Sequence, residues 1–162
     1  MKGVLIRNPE WAPQLVGYQI ESEWMVGHWE EVQSLVSQTE VRPPHVLMAQ
    51  VLLAMRSGDD AAIARSLSAA RKALGTSITA SGPTGYRRSY DAVLDLHLTY
   101  ELEVINKVVK DHSGEVPTTS QLTNKSFKNL LQRLATRFDS TLPSFRIREP
   151  ILNMRRTAFN LR

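Results

Sequence analysis

Apolar residues recur every three or four positions through most of the chain, which predicts α-helices and leaves almost no strand signal. Asn8-Pro9 is the predicted start of the first helix, because an Asn cap followed by proline in the first turn is a favoured N-terminus. Gly27 is expected to end this helix, and a second helix over about residues 28–38 completes a first hairpin, 8–38. The first helix is expected to bury a main stripe and an adjoining line, Trp11, Leu15, Tyr18, Ser22 and Met25 with Val16, Ile20 and Trp24.

A second hairpin is predicted over residues 44–75. Residues 46–56 leave almost no polar face, so we expect this helix to be packed on more than one side. The turn that follows contains Gly58, which lies 31 residues after Gly27. This spacing is near the period of about 34 residues in tetratricopeptide-type hairpins, although with two weak copies coincidence stays an alternative. The helix after the turn carries the apolar stripe Ile63, Leu67, Ala70 and Leu74.

A long hairpin is predicted over residues 85–139, with a loop at 113–124. Glu149-Pro150 is expected to begin a last helix, 149–162. We interpret this helix as truncated, because its pattern of apolar residues continues up to the end of the given sequence. The predicted fold class is therefore all-α. We expect one fragment, 1–162, forming an α-solenoid of antiparallel helical hairpins of the tetratricopeptide or HEAT kind, with about seven helices.

Composition and charge exclude several kinds of functional site and partner. The 162 residues include no Cys, which excludes a disulfide scaffold, a Cys-ligated zinc site and a thiol nucleophile. No apolar run approaches the roughly 18 residues of a membrane span, so no membrane contact is expected. Residues 1–114 carry 11 Lys and Arg against 13 Asp and Glu, whereas residues 115–162 carry 9 against 3. We interpret the basic end as a solvated helix surface without direct nucleic-acid contact, because no aromatic residues alternate with the basic ones.

The sequence contains no catalytic or cofactor-binding motif, neither a glycine-rich nucleotide loop nor a metal-binding His pair nor a nucleophile elbow. The four histidines lie in separate predicted elements, and His97 is expected to be a hydrogen-bonded core residue because it falls on an apolar stripe. Asp91 and Asp95 are interpreted as an acidic helix face rather than an acid–base pair. Ser37 and Ser120, each followed by Gln, are candidate modification sites.

Three stretches carry a family resemblance. The first, residues 144–158, contains the runs Ser-Phe-Arg, Arg-Glu-Pro-Ile-Leu and Arg-Arg-Thr-Ala. The second, residues 85–103, is a predicted Tyr-rich helix that contains Leu-His and Glu-Leu-Glu. The third, residues 24–30, is a predicted hairpin turn with the pattern Trp-x-x-Gly-x-Trp-Glu. Together they resemble the FAT domain of the phosphatidylinositol-3-kinase-related protein kinases, specifically the ATR branch. The short loop after Ile105 and the tryptophan-poor second hairpin are typical of a fungal member.

The resemblance implies an α-solenoid segment, upstream of the catalytic domain, in a very large nuclear serine/threonine kinase of the DNA-damage checkpoint. In that family the FAT solenoid clamps the kinase lobes and contributes to dimer contacts. It belongs to an assembly with the ATR-interacting protein, which is recruited to single-stranded DNA coated by replication protein A. The parent kinase uses ATP and magnesium, whereas no catalytic, cofactor-binding or metal-binding residue is carried over to this chain.

The last helix is the expected contact surface. We expect its apolar residues to pack on a continuation of the solenoid, and its arginines to contact that continuation or the kinase domain. The alternative is a free-standing tetratricopeptide-like adaptor that binds an acidic peptide or a partner helix. The predicted contact residues are Arg146, Arg148, Ile151, Leu152, Arg155, Arg156 and Phe159, with Ala158 as a further packing residue.

Overall fold

The computed structural model describes residues 11–80, 85–111 and 125–161. The described residues form helices and connecting turns with no strand, so the predicted all-α fold is confirmed. The predicted helix start at Asn8-Pro9, the loop 113–124 and Ser120 lie outside these residues. Within the described ranges the helices are α1 Ala12–Val26, α2 Trp29–Gln38, α3 Pro44–Ser57, α4 Asp60–Ala80, α5 Tyr86–Asp111, α6 Lys125–Asp139 and α7 Phe145–Phe159.

The chain forms two compact units, one ending at Leu96 and the other beginning at His97, both of which lie in α5. In the first unit α1 packs on α2 and α3, α2 packs on α3, and α3 packs on α4. Gly27 and Gly58 end α1 and α3 with positive φ angles of 84° and 72°, a conformation that glycine adopts without steric cost. Both turn glycines therefore act as the sequence predicted.

The core of the first unit is built around α3. Its apolar residues are buried around the helix, except for the half-buried Leu53, which confirms the prediction for residues 46–56. The predicted stripe of α4 is buried as well. The buried α3 side chains are Val46, Leu47, Met48, Ala49, Val51, Leu52, Ala54 and Met55.

The prediction for the buried face of α1 was correct for the adjoining line and wrong for part of the main stripe. Trp11 and Tyr18, on the stripe expected to form the core, are 46% and 55% exposed, whereas Ile20 and Trp24 on the adjoining line are buried. Gly17 explains the choice, because a Cβ atom there would lie only 3.3 Å from the Cβ and Cδ2 atoms of His45 on α3. The missing side chain lets α3 approach the Gly17 side of α1, so the neighbouring Ile20 line becomes the core.

Two helix boundaries differ from the predicted ones. α4 continues to Ala80 rather than ending at residue 75, because residues 76–80 contain no helix-breaking Pro or Gly. α7 begins at Phe145 rather than at residue 149, so Pro150 lies inside the helix. The amides of Ile147 and Arg148 donate to the carbonyl of Ser144 and form the first turn before the proline is reached.

The second unit has a smaller core made of one stripe from each of three helices. The C-terminal half of α5 and the helices α6 and α7 each bury aliphatic side chains, while the rings of Phe127 and Phe159 meet edge to face at 6.1 Å. The buried aliphatic residues are Leu98, Leu102, Ile105, Leu130, Leu134, Ile151, Met154, Ala158 and Leu161.

Candidate functional site

A buried carboxylate organises the polar side chains of the second unit. Glu101 accepts two charge-assisted hydrogen bonds from Arg155, with Nε to Oε2 and Nη2 to Oε1 both at 2.8 Å. Arg137 adds a third at 3.2 Å from its Nε to Oε1, and Arg155 Nη2 also donates to the Leu134 carbonyl at 2.9 Å. Two arginines surrounding one buried carboxylate satisfy its oxygens and hold three helices together.

Phe138 supports the same network from α6. The guanidinium carbon of Arg148 lies 4.8 Å from the Phe138 ring centroid, and that of Arg155 lies 5.5 Å from it. Arg148 also donates from Nη2 to the Thr141 carbonyl at 3.3 Å. Both of these predicted contact arginines are thus engaged within the second unit.

The outer face of α7 has a different character. Phe145 is 82% exposed and Leu152 is 51% exposed, and their spacing of seven positions places both side chains on one face two turns apart. Arg146 and Arg156 are exposed beside them, and Leu142 just before the helix is exposed as well. We call Leu142, Phe145, Arg146, Leu152 and Arg156 the outer face of α7. It is an apolar strip with basic side chains on it.

The predicted contact residues therefore separate into two groups. Ile151 and Ala158 are buried, and Phe159 is half-buried against Phe127. Leu152 lies on the outer face of α7 with Arg146 and Arg156. Sequence reasoning placed Ile151 and Leu152 together as packing residues, but adjacent positions on a helix point in different directions, so the structure separates them.

The sequence analysis did not identify two important residues of this region, Phe145 and Glu101. Phe145 was assigned to a linker because the helix was expected to begin four residues later. Glu101 follows Leu98 by three positions and precedes Ile105 by four, so its place on the apolar stripe was a signal that this carboxylate is buried and paired.

A cationic cluster lies along α5 and α6. Arg133 Nη2 donates to the Tyr100 hydroxyl oxygen, and Arg137 Nη2 donates to His97 Nδ1. The guanidinium carbons of Arg133 and Arg137 lie 5.8 Å and 4.8 Å from the Tyr100 ring centroid.

Partial burial lowers the pKa of His97 and the positive charge of Arg137 lowers it further, while Glu101 acts in the opposite direction. His97 is exposed at the surface, so its predicted core position was wrong.

A second set of titratable groups lies in the first unit. His45 on α3 pairs with Glu21 on α1, with Nδ1 to Oε2 at 3.2 Å, and its ring centroid lies 5.0 Å from that of Tyr18. The hydrogen bond that His45 donates to the Glu21 carboxylate raises the pKa of His45. Burial raises the pKa of Asp95 on α5 to about 6, with Asp91 and Glu21 adding to the shift and His45 opposing it. Asp91 and Asp95 are half-buried rather than forming the solvated face that was expected.

An open depression of about 700 Å³ surrounds the turn between α1 and α2. The guanidinium of Arg56 lies 5.6 Å from the Trp29 ring centroid, and Glu23 Oε2 lies 2.9 Å from His28 Nδ1. These contacts fix the turn from both sides. The depression is lined by Glu23, Gly27, His28, Trp29, Glu30, Glu31 and Arg56.

The described ranges contain no group of three or more His, Asp or Glu residues placed to hold a metal ion. Within the same ranges, no helix is both long enough and apolar enough to span a membrane.

Comparisons with known proteins match the chain to one family. The model of the FAT domain family matches residues 17–162. The serine/threonine-protein kinase ATR of Oryza sativa subsp. japonica is 25% identical over 170 aligned residues, which cover 98% of this chain. The serine/threonine-protein kinase ATR of Arabidopsis thaliana is 28% identical over 171 aligned residues, which cover 97% of this chain.

The chain spans 6% of the length of each of these two kinases. No solved structure gives a significant match. The resemblance inferred from residues 24–30, 85–103 and 144–158 is confirmed by the family match and by the two ATR relatives. The chain belongs to the FAT domain family.

Proposed function

We propose that this chain is a non-catalytic packing segment of an ATR-like serine/threonine kinase of the DNA-damage checkpoint, and that the outer face of α7 contacts the rest of that kinase. The observation that supports this proposal most directly is the exposure of Phe145 and Leu152 on one face of α7. Two large apolar side chains two turns apart, with basic residues beside them, are typical of a surface that another helix covers.

The exposed stripe of α1 supports the same proposal from the first unit. Trp11, the N-cap residue of α1, and Tyr18 are seven positions apart, which places both on one side of the helix, and they are 46% and 55% exposed. Helices of stacked hairpins bury such faces against the neighbouring hairpin. The chain also spans only 6% of its ATR relatives, so the proposed neighbours of α1 and α7 are other helices of the same kinase.

The proposal includes the setting of the parent protein. We infer a nuclear kinase that binds ATP and magnesium in a catalytic domain outside this chain, that assembles with an ATR-interacting protein, and that uses its solenoid in dimer contacts. Arg146 and Arg156 are the proposed polar contacts to the kinase domain or to the adjoining solenoid. Arg148 and Arg155 support this surface from within the unit.

The test compares the isolated chain with the complete product of its gene. A double variant, Phe145→Asp with Leu152→Asp, is made in both, and Leu131→Asp on α6 is the matched control because Leu131 is also an exposed leucine. In the isolated chain the double variant is expected to change the free energy of unfolding by less than about 0.5 kcal/mol relative to the wild type, because both side chains are exposed. In the complete protein it is expected to lower kinase activity or soluble yield several-fold, while the control does not.

Equal behaviour of the double variant and the Leu131 control in the complete protein would contradict the proposal. An open reading frame that ends close to Arg162 would also contradict it, and would favour the adaptor alternative.

A further inference from the structure

Among the residues that the structure describes, the cationic cluster on α5 and α6 has more positive charge than its neighbours neutralise. Two guanidinium groups, of Arg137 and Arg155, bind the single carboxylate of Glu101, and a third, of Arg133, lies one helical turn from Arg137 against Tyr100. Arg155 takes both oxygens of that carboxylate, and Arg137 shares only one of them. Within the described part of the chain Arg133 contacts Tyr100 and no carboxylate. Two like charges four residues apart on one helix repel each other unless an anion lies between them.

The polar atoms of the cluster are almost all donors. Arg137 can only donate its hydrogen bond to His97, so Nδ1 of that ring is the acceptor and Nε2 carries the proton. Arg133 likewise donates to the Tyr100 oxygen, which leaves the phenolic O–H free to donate. Arg133 and His97 are exposed and Tyr100 is half-buried, so these donors reach the surface.

We propose that His97, Tyr100, Arg133 and Arg137 form a binding site for a phosphate monoester of the kind carried by phosphorylated serine or threonine. A phosphate monoester has three acceptor oxygens and a charge of roughly −1.5 to −2 at neutral pH, which matches two guanidinium forks and two neutral donors. Side chains one helical turn apart lie about 5–6 Å from each other, so one phosphate group can bridge Arg133 and Arg137.

The same features favour a monoester over a nucleic acid. A phosphodiester offers two terminal oxygens and one charge per phosphate, and its binding proteins use an extended basic track with aromatic platforms for the bases. Here the guanidinium carbons of Arg133 and Arg137 lie 5.8 Å and 4.8 Å from one ring, that of Tyr100, so the positive charge is local rather than spread along a track, and the ring is not an open platform for a base.

The depressed pKa of His97 supports the proposal and supplies a readout. The positive charge of Arg137 is one cause of that depression, after partial burial. A dianion bound among the same groups stabilises the protonated imidazole, so the pKa of His97 is expected to rise when the site is filled.

The experiment is an NMR titration of the 162-residue chain in a phosphate-free buffer. The probes are a short Gly/Ala peptide with one phosphoserine, the same peptide with serine, inorganic phosphate, and an oligothymidylate. We expect saturable shifts of the His97 ring signals, and a higher His97 pKa, with the phosphopeptide and with inorganic phosphate but not with the serine peptide.

Two variants locate the site. Arg133→Gln removes a charge and a donor fork, and is expected to weaken phosphopeptide binding by about tenfold. Lys128→Gln is the matched control, because it removes one charge from an exposed position on the same helix, and it is expected to change binding less than about twofold. Arg133→Lys, which keeps the charge, is expected to bind with intermediate affinity.

Three results would overturn the proposal. The first is no saturable shift with either phosphate probe. The second is an equal loss of affinity in the Arg133→Gln and Lys128→Gln variants, which would indicate diffuse electrostatic attraction. The third is tighter, steeply salt-dependent binding of the oligothymidylate, which would identify the surface as one for nucleic acid.

Discussion

Arg155 and Glu101 form a bidentate ion pair between α7 and α5, across 54 residues of sequence, with two N–O distances of 2.8 Å. Both side chains are largely buried, and the arginine also donates to the Leu134 carbonyl of α6. A single arginine therefore connects the three helices of the second unit. The pairing also explains why Arg155 is buried although it belongs to the basic C-terminal segment of the chain.

Breaking this pair is expected to destabilise the second unit. Arg155→Met leaves Glu101 buried with only the Nε of Arg137 as its charged partner, and is expected to lower the free energy of unfolding by about 3 kcal/mol. The double variant Arg155→Met with Glu101→Leu is expected to regain part of that loss, because no buried charge is left without its main partner. Urea denaturation followed by circular dichroism measures both effects. A double variant less stable than Arg155→Met would contradict this account.

The packing of α1 on α3 depends on the absence of a side chain at residue 17. Gly17→Ala places a Cβ atom 3.3 Å from His45, whose ring is held by Glu21 and lies against Tyr18, and it is expected to cost about 1 kcal/mol. Gly75→Ala is the control, since a Cβ there meets nothing within 4 Å, and it is expected to stabilise α4 by about 0.5–1 kcal/mol. Thermal unfolding of the two variants should move in opposite directions, and a stabilised Gly17→Ala protein would show that the contact is unimportant.

Neighbouring residues on α7 are expected to respond differently to truncation. Ile151→Ala removes a buried side chain and should cost about 2–4 kcal/mol, because it leaves a cavity in a small core. Leu152→Ala removes a side chain that is 51% exposed and should cost less than about 0.5 kcal/mol in the isolated chain. Chemical denaturation distinguishes the two. Similar losses for both residues would mean that the outer face of α7 is covered in the isolated chain.

The first unit is expected to lose stability as the pH rises through the neutral range. Burial raises the pKa of Asp95 from its ordinary 3.8 to about 6, so the folded state holds a proton that the unfolded state releases. This contribution is complete below about pH 4 and is lost as the pH rises through 6. The raised pKa of His45 acts in the same direction, because its contribution is present below its ordinary value of 6.5 and is lost as the pH rises through the folded value.

Asp95→Asn tests this pH dependence. The amide carries no charge to desolvate, so the variant is expected to be more stable than the wild type at pH 7, by on the order of 1–2 kcal/mol. The difference should shrink as the pH is lowered towards 4, since Asp95 is then protonated in the folded state and partly protonated in the unfolded state. Melting temperatures of the two proteins between pH 4 and 8 give the comparison, and curves that stay parallel over this range would refute the assignment.

Local pattern predicted the helices well where one signal dominated. α3 reads as apolar on all sides and is buried on all sides, and Gly27 and Gly58 end helices in the left-handed conformation that glycine favours. The start of α7 gave the opposite result. Ser144 begins α7 before Pro150 because the first turn forms on the Ser144 carbonyl, so the proline did not mark the helix start that its position suggested.

The candidate site was only partly predictable for a similar reason. The basic character of the last two helices is visible in the sequence, and so is the FAT family resemblance. Nothing in the spacing of Arg146, Arg148, Arg155 and Arg156 distinguishes an arginine that stacks on Phe138 from one that lies at the surface. That difference depends on Glu101, which is distant in sequence.

The sequence by itself determined the all-α fold, the two turn glycines, the family and the basic end of the chain, because helix periodicity, left-handed caps and charge are properties of short segments. Only the tertiary structure decided which of two apolar lines on α1 became the core, and which arginines of α7 turned inward. Both choices depend on complementarity between distant residues. Gly17 admits His45 in one case, and Glu101 satisfies Arg155 in the other.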